Sequence, residues 1–566
     1  MKSFFPITTW LPHYNRSMLR GDMSAGITVG ILLIPQGMAY AMIAGLPPVY
    51  GLYASLVPLL IYGIMGTSRQ LAVGPVALVS LLVAAGVSEF AEPGTSSYIQ
   101  LAVLLALMTG GFQLLIGLFR LGFLVNFLSH PVVTGFTAAA ALIIALSQVH
   151  HILGISVNST LKVHEVLIQL FESLGDVNVQ TLLVGFLAIV LVAGLRMWNR
   201  HLPGALIAVV VSILLILITG WDQKGVAIIG DIPSGLPAFG MPDFDMEVFS
   251  GLFPMAVAIS LIGFMESMAV AKMVRSRHRD YKLDTDQELV AIGAANIGGA
   301  LFQSYPVTGG FARTAINDQS GAKTGMSSII SAVLIGLTLL FLTPLFYYLP
   351  GAVLGAIVIT AVLGLIDISE IRFLWRTRRE DFMMMAVTFF VTLLIGLKEG
   401  LLIGVILSLV VVIYRSSTPH VAILGRLPES RIYRNIVRYP EAIEQDDVVV
   451  VRYDAPLYFA NSEHFKGTIE ELVNDKGEKL QLVVLDASGI NLIDTTGLHA
   501  LTEMNRQLQS RGVTLCLASV RGPVRDVLRV SGYFDSNTSH SCYLDVQDAI
   551  DAFNHPESSG HGMERH

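Results

Sequence analysis

Two charged residues lie inside apolar stretches of this 566-residue chain, and their types define a chemistry. Glu266 sits in Gly263-Phe264-Met265-Glu266-Ser267-Met268, and Arg313 in Gly309-Gly310-Phe311-Ala312-Arg313-Thr314. An ionisable group within a membrane-length apolar segment is costly and marks a functional site unless it is paired away. Arg313 offers a permanent charge on a planar fork that matches oxyanions. Two Gly/Pro interruptions, Ala72-Val73-Gly74-Pro75-Val76-Ala77 and Tyr305-Pro306-Val307-Thr308-Gly309-Gly310, each precede a short apolar helix. A helix start carries roughly +0.5 charge and unpaired N–H groups. Two such starts aimed at one place sum with Arg313 to about +2, which a small dianion balances. Ionised Glu266 would cancel one unit and repel the anion's second charge, whereas protonated Glu266 would not. Proton uptake at Glu266 is therefore expected to accompany anion uptake. The alternative is a structural Glu266–Arg313 ion pair that locks two helices.

A third group is Gln36 and Tyr40, four apart in Ile34-Pro35-Gln36-Gly37-Met38-Ala39-Tyr40 and so on one helix face beside a proline break. Their polar ends suit an anion ligand or ordinary polar packing between helices.

The elements that must position these groups are apolar. The chain is 53% hydrophobic and only 14% charged, against about 25% in soluble domains. Fourteen apolar elements are expected near 23–44, 49–66, 73–88, 98–119, 122–149, 179–196, 203–220, 250–272, 286–301, 308–320, 325–345, 350–366, 382–397 and 399–415. Elements 3 and 10 are short for spanning helices, and the alternative to a crossing there is a re-entrant or buried piece. The loops after elements 2, 4, 6, 8, 10 and 12 hold fourteen Lys or Arg, including Arg69, Arg200, Arg275, Arg277, Arg279, Arg372, Arg376, Arg378 and Arg379. The N-terminal segment adds Lys2, Arg16 and Arg20, while the alternate loops hold only Lys162, Lys224 and Lys398. That one-sidedness predicts both termini in the cytoplasm. Seven plus seven elements make two halves of opposite orientation, an inverted repeat typical of secondary transporters. The two Gly/Pro interruptions occupy position three of each half, which favours a binding site over the mere abundance of Gly and Pro in membrane helices. No secretory signal peptide is expected in Met1–Gly21. The net charge of −7 argues against a nucleic-acid partner.

Pro48-Val49-Tyr50-Gly51-Leu52-Tyr53-Ala54-Ser55, followed by Leu60-Ile61-Tyr62 and Gly66-Thr67-Ser68-Arg69, resembles the signature of the SulP family of anion permeases. Ala72–Ser80 and Ser304–Asn317 extend the resemblance over the apolar region. It implies a core domain moving against a gate domain, a homodimer, and an anion site between elements 3 and 10 with element 1 contributing. Carried over, the site falls on Gln36, Tyr40, Val76, Ala77, Glu266, Ala312 and Arg313. Relatives that move sulfate, bicarbonate, chloride or dicarboxylates share the scaffold, and the animal branch includes prestin. The stretch Tyr305–Ala315 looks closest to the sulfate-permease branch. Many relatives have Ser where this chain has Ala312, so one hydroxyl ligand is missing.

Charge density roughly doubles after Arg415: residues 416–566 hold 35 of the 79 charged side chains. The expected organisation is a cytoplasmic segment 1–21, a transport domain 22–415, a linker 416–440, a soluble domain 441–554 and a disordered tail 555–566. Val448–Val451, Leu482–Leu485 and Val513–Leu517 read as strands, with helices at Phe465–Val473 and Thr496–Gln509 between them. This is an α/β pattern with a mostly parallel sheet. Leu485-Asp486-Ala487-Ser488-Gly489 through Ile493-Asp494-Thr495-Thr496-Gly497-Leu498 resembles the STAS domain of anti-sigma-factor antagonists, where a hydroxyl in this turn is a phosphorylation site. Thr495 and Thr496 occupy the turn, and helix capping is the reading favoured over phosphorylation. Two cysteines make no disulfide framework, and no phosphate loop, paired Cys/His ligands or nucleophile elbow is present.

The expectation is thus an α-helical membrane protein, a 7+7 inverted repeat with a cytoplasmic STAS domain, that is no enzyme and needs no cofactor or metal. It is expected to import sulfate or a similar small inorganic anion with protons, as a homodimer in an inner plasma membrane, with a cytoplasmic protein partner for the STAS domain. Bicarbonate or C4-dicarboxylate transport is the alternative on the same scaffold. An anion channel or a STAS signalling platform is the alternative of another class.

Overall fold

A computed structural model describes residues 4–123, 129–156, 163–198, 203–243, 245–278, 280–534 and 542–555. Lys2, Lys162, Arg200, Arg279 and the tail beyond His555 lie outside the described residues. The chain divides into two compact units, residues 1–408 and 409–566.

Each of the fourteen apolar elements is helical. They are α1 (Arg16–Ile43), α2 (Val57–Met65), α3 (Ala77–Val87), α4 (Ser96–Leu118), α5 (His130–Leu153), α6 (Val179–Trp198), α7 (Gly204–Thr219), α8 (Met246–Arg277), α9 (Thr285–Ala300), α10 (Phe311–Gln319), α11 (Met326–Leu337), α12 (Gly351–Val362), α13 (Arg379–Leu394) and α14 (Leu397–Ser417). Among the described residues, seven helices are long and apolar enough to cross a membrane. The helix of element 1 starts about two turns before the expected boundary, because Asn15 caps it by accepting from the Met18 N–H. The expected break at Pro35 is absent. α1 runs through it, buried on one face from Asp22 to Gly30 and on nearly all sides from Leu33 to Ala41, so packing on neighbours outweighs the single backbone hydrogen bond that proline removes.

The packing obeys a two-fold relation between helix i and helix i+7. α1 packs on α11 as α8 packs on α4; α2 packs on α11 as α9 packs on α4; α5 packs on α13 as α12 packs on α6. α2 meets its own counterpart α9, and α5 meets α12. Two bundles result, one built on α1–α4 with α8–α11, the other on α5–α7 with α12–α14. Apolar side chains gain little by leaving lipid, so close contact must come from shape. Gly110 and Gly293 illustrate this: a Cβ on Gly110 would lie 2.7 Å from the Gly293 carbonyl oxygen.

The second unit is a six-stranded sheet of order β4-β3-β5-β6-β7-β8. Its strands are β3 (Val421–Arg426), β4 (Tyr433–Asn435), β5 (Val448–Tyr453), β6 (Leu482–Asp486), β7 (Thr514–Ala518) and β8 (Cys542–Tyr543). β5 to β8 are parallel, and β3 is antiparallel to both β4 and β5. Val421–Arg426 and Tyr433–Asn435, inside the stretch 416–440 expected as a linker, are strands of the sheet. Ala422 and Leu424 point into its core, a two-residue alternation too short to stand out in sequence. Helices α15 (Ser462–Lys476), α16 (Thr495–Ser510) and α17 (Gly522–Val530) cover one face, and α18 (Val546–Asn554) the other. Both faces of the central strands are covered, which explains why Val448–Val451 reads as an unbroken apolar run.

Candidate functional site

The two Gly/Pro interruptions meet. Val73–Gly74 (β1) and Thr308–Gly309 (β2) form a two-stranded antiparallel ribbon, with Val73 opposite Gly309 and Gly74 opposite Thr308. Extended backbone leads directly into α3 at Val76 and into α10 at Gly310. Neither start has a side-chain cap, so the first N–H groups of both helices remain available. The Ala72 backbone ties the two: its N–H donates to Thr314 Oγ1 at 3.0 Å, and its carbonyl accepts from Gly310 N–H at 3.1 Å.

Arg313 is 2% exposed. Its Nη1 donates to the Pro75 carbonyl, while Nε and Nη2 have no hydrogen-bond partner. The side chain folds back over the mouth of its own helix: a Cβ on Gly310 would lie 2.9 Å from Nη2. Glu266, on α8, has a buried Oε2 without a hydrogen-bond partner. No ion pair joins Glu266 to Arg313, so the expected alternative of a locking pair is not what the side chains form. On α1, Gln36 Nε2 donates to Tyr40 Oη at 3.2 Å, as their spacing implied, and Gln36 Oε1 is buried without a partner. Val76 and Ala77 are buried at the start of α3, and Ala312 is exposed at the start of α10. Three buried polar side chains thus keep unused hydrogen-bonding atoms around two uncapped helix starts.

What holds the ribbon was not singled out from sequence. Asn296 on α9 brackets Val307, accepting its N–H at 2.8 Å and donating to its carbonyl at 3.0 Å, and also donates to Gln113 Oε1 at 3.0 Å. Ser267, next to Glu266, accepts from Gly309 N–H at 2.8 Å and bonds Thr308 Oγ1 at 2.6 Å. Asn317 Nδ2 donates to the Gln70 carbonyl at 2.8 Å. The signal available in sequence was the polar side chain in an otherwise apolar element, the same signal that exposed Glu266 and Arg313.

Two carboxylates are used differently. Glu288 is buried near the start of α9 and receives Tyr62 Oη at 2.7 Å, the Thr67 N–H and Oγ1 at 2.6 Å, and the Ser68 N–H at 2.9 Å. Asp22 in α1 likewise gathers the Lys323 and Thr324 N–H groups and Thr324 Oγ1. Both are saturated with donors and fasten the loops that carry β1 and α11. Among the described residues no group of three His, Cys, Asp or Glu could hold a metal ion.

In the second unit, the turn before α16 is capped by Asp494, which accepts from Gly497 N–H at 2.7 Å and Phe459 N–H at 3.0 Å. This corrects the expectation that Thr495 or Thr496 supplies the cap. A carboxylate one residue earlier fits the N-cap geometry, and both threonines are left exposed.

Comparison with known proteins agrees with this architecture. Residues 19–388 match the sulfate permease family and residues 439–549 the STAS domain. The chain is 39% identical over 567 residues to an Arabidopsis thaliana protein named "Probable sulfate transporter 4.2", covering 97% of this chain and 83% of that one. It is 36% identical to "High affinity sulfate transporter 1" of Stylosanthes hamata, covering 97% and 86%. Among solved structures, murine Slc26a9 in its inward-facing state superposes with TM-score 0.88 at 27% identity, over 97% of this chain and 93% of that one. The transmembrane domain of the cyanobacterial bicarbonate transporter BicA superposes with TM-score 0.62 at 22% identity, over 69% of this chain and 98% of that one, a likeness of fold.

Proposed function

Since this chain belongs to the sulfate permease family, whose members are anion transporters rather than enzymes, we propose that it is a secondary active transporter that imports sulfate, coupled to protons, by alternating access. The observation that carries the reading is the β1–β2 ribbon, which sets two uncapped helix starts beside the unused Nε and Nη2 of Arg313. The roughly +2 charge of that cradle is matched by a dianion. Gln36, Tyr40, Val76, Ala77 and Ala312 line it, and Glu266 is the proton carrier. The plant relatives named as sulfate transporters support the choice of anion. The Lys- and Arg-rich loops support an even number of crossings, fourteen in this reading, with both termini on the cytoplasmic side; the membrane proposed is a plasma membrane. A homodimer and a cytoplasmic partner for the STAS domain complete the proposal.

The bundle of α5–α7 and α12–α14 serves as the gate against which the site-bearing bundle moves. Protonating Glu266 restores the full positive charge of the cradle, so anion and proton load together and leave together.

The test is uptake of labelled sulfate into proteoliposomes under an imposed pH gradient, with bicarbonate, chloride and C4-dicarboxylates as competitors. Acidification of the outer medium relative to the lumen drives accumulation; Arg313→Gln abolishes it; Glu266→Gln removes the pH drive while sulfate exchange persists. Unaltered pH dependence in Glu266→Gln refutes the coupling. Preferential uptake of another anion refutes the substrate.

A further inference from the structure

The short helix Ile368–Thr377 joins α12 to α13 and is capped by Asp367, which accepts from the Glu370 N–H at 3.0 Å. At about 100° per residue, Ile368 and Trp375 fall on one stripe, and Arg372 and Arg376 on a second stripe about 70° further round. Leu374 faces the protein at 5% exposure, whereas Ile368 is 65% and Trp375 59% exposed. Trp375 is held edge-on against Phe382 of α13, with ring centroids 4.8 Å apart at 79°. Arg378 and Arg379 follow at the helix end, and all four arginines are exposed. An exposed apolar stripe beside a guanidinium stripe suits neither bulk water nor the acyl interior. It suits the boundary between headgroups and chains, where arginine reaches phosphate while the apolar stripe is buried.

The inverted repeat supplies a second observation. The α12–α13 connection corresponds to the α5–α6 connection, which also carries a short helix, Val163–Glu172. That helix likewise exposes apolar side chains, Phe171 at 71%, but it contains no Lys or Arg, and its connection holds a single cation, Lys162, against the four arginines of the other. The same device, placed in two opposed orientations, bears guanidiniums on one side only. A bilayer whose two surfaces differ in anionic lipid is asymmetric in the same way.

We infer that Ile368–Thr377 is an interfacial anchor that binds anionic phospholipid headgroups through Arg372, Arg376, Arg378 and Arg379, with Ile368 and Trp375 seated among the first acyl carbons. This rests on the bilayer setting of the family and stands whichever anion is carried.

The full chain, with Trp10, Trp198 and Trp221 changed to Phe, reports on Trp375 alone. Reconstituted into phosphatidylcholine vesicles containing phosphatidylglycerol, its emission is quenched more by brominated phosphatidylglycerol than by an equal fraction of brominated phosphatidylcholine. Changing the four arginines to Gln removes that preference, and changing them to Lys restores most of it. Native mass spectrometry of the same proteins reads retained phosphatidylglycerol. Each interfacial charge is worth roughly a fivefold preference, so the Gln variant loses at least about tenfold. Equal quenching by the two brominated lipids, an unchanged preference in the Gln variant, or quenching by aqueous iodide instead of brominated lipid overturns the inference. Sulfate uptake in the same vesicles keeps the two readings apart, because lipid preference can fail while uptake persists.

Discussion

A single methyl group at Gly310 should move Arg313 without disturbing the fold. Gly310 has φ −97° and ψ 132°, a conformation any residue adopts, so Gly310→Ala carries no backbone strain. The added Cβ would meet Arg313 Nη2 at 2.9 Å and Cζ at 3.0 Å, where ordinary contact begins at 3.4 Å. The guanidinium must retreat by about 0.5 Å, which pulls Nη1 from the Pro75 carbonyl. A hydrogen bond to a charged group contributes about 1.5–3 kcal/mol, and about 1.4 kcal/mol is a tenfold change. Displacement of a positioning group by about 1 Å costs up to a hundredfold in comparable sites. Gly310→Ala should therefore lower kcat/KM for sulfate uptake tenfold to a hundredfold, with a loss of no more than a few degrees in melting temperature. Initial rates in proteoliposomes and thermal unfolding in detergent measure the two quantities. The control is Gly309→Ala, whose Cβ would meet Leu71 Cδ1 at 2.7 Å and so perturbs apolar packing, lowering stability as well as uptake. Uptake by Gly310→Ala within twofold of the parent would refute the role given to the Arg313 position.

Three further outcomes are expected. Asn296→Leu leaves the N–H and carbonyl of Val307 and the Oε1 of Gln113 without their partner, at about 1–3 kcal/mol per buried group, so thermal unfolding in detergent should shift down by several degrees and uptake should fall with it. Burial alone would raise the carboxyl of Asp454, but hydrogen bonds from Arg452 and His420 outweigh it and hold the group below the usual aspartate range. Its stabilising contribution is then present above about pH 4 and lost as pH falls through the lowered value, so Asp454→Asn should speed hydrogen exchange in β5 near neutral pH and match the parent in strong acid. Burial pushes the Cys516 thiol up to about 12, so iodoacetamide should leave it unmodified near neutral pH until the chain is denatured; rapid native labelling would contradict its place in the sheet core.

Much of the site was legible because burying charge in an apolar segment is expensive enough to be conspicuous. Arg313 and Glu266 stood out on that ground, and the pair at Gln36 and Tyr40 followed from helical spacing. Asn296, Ser267 and Thr308 did not stand out, since small polar residues are common in membrane helices and only a partner reveals their use. The same reason hid the role of Glu288. A carboxylate near a helix start looks solvated until Tyr62, Thr67 and Ser68 are seen to surround it, and those residues lie more than 200 positions away. Capping of α16 by Asp494 rather than by a threonine turns on one residue of register, which composition does not report.

Taken alone, the order of residues determined which segments are apolar helices, that the chain has two halves of opposed sense, and that a guanidinium stands behind the second interruption. Those properties are local: they depend on transfer free energy and on the helical or extended period of a short stretch. Folding in three dimensions decided that β1 and β2 pair, that α1 continues through Pro35, that Arg313 and Glu266 remain unpaired with each other, and that Val421–Arg426 and Tyr433–Asn435 enter the sheet. Each of these is settled by which remote surface arrives as a neighbour, and that depends on the balance of packing across the whole molecule rather than on any one segment.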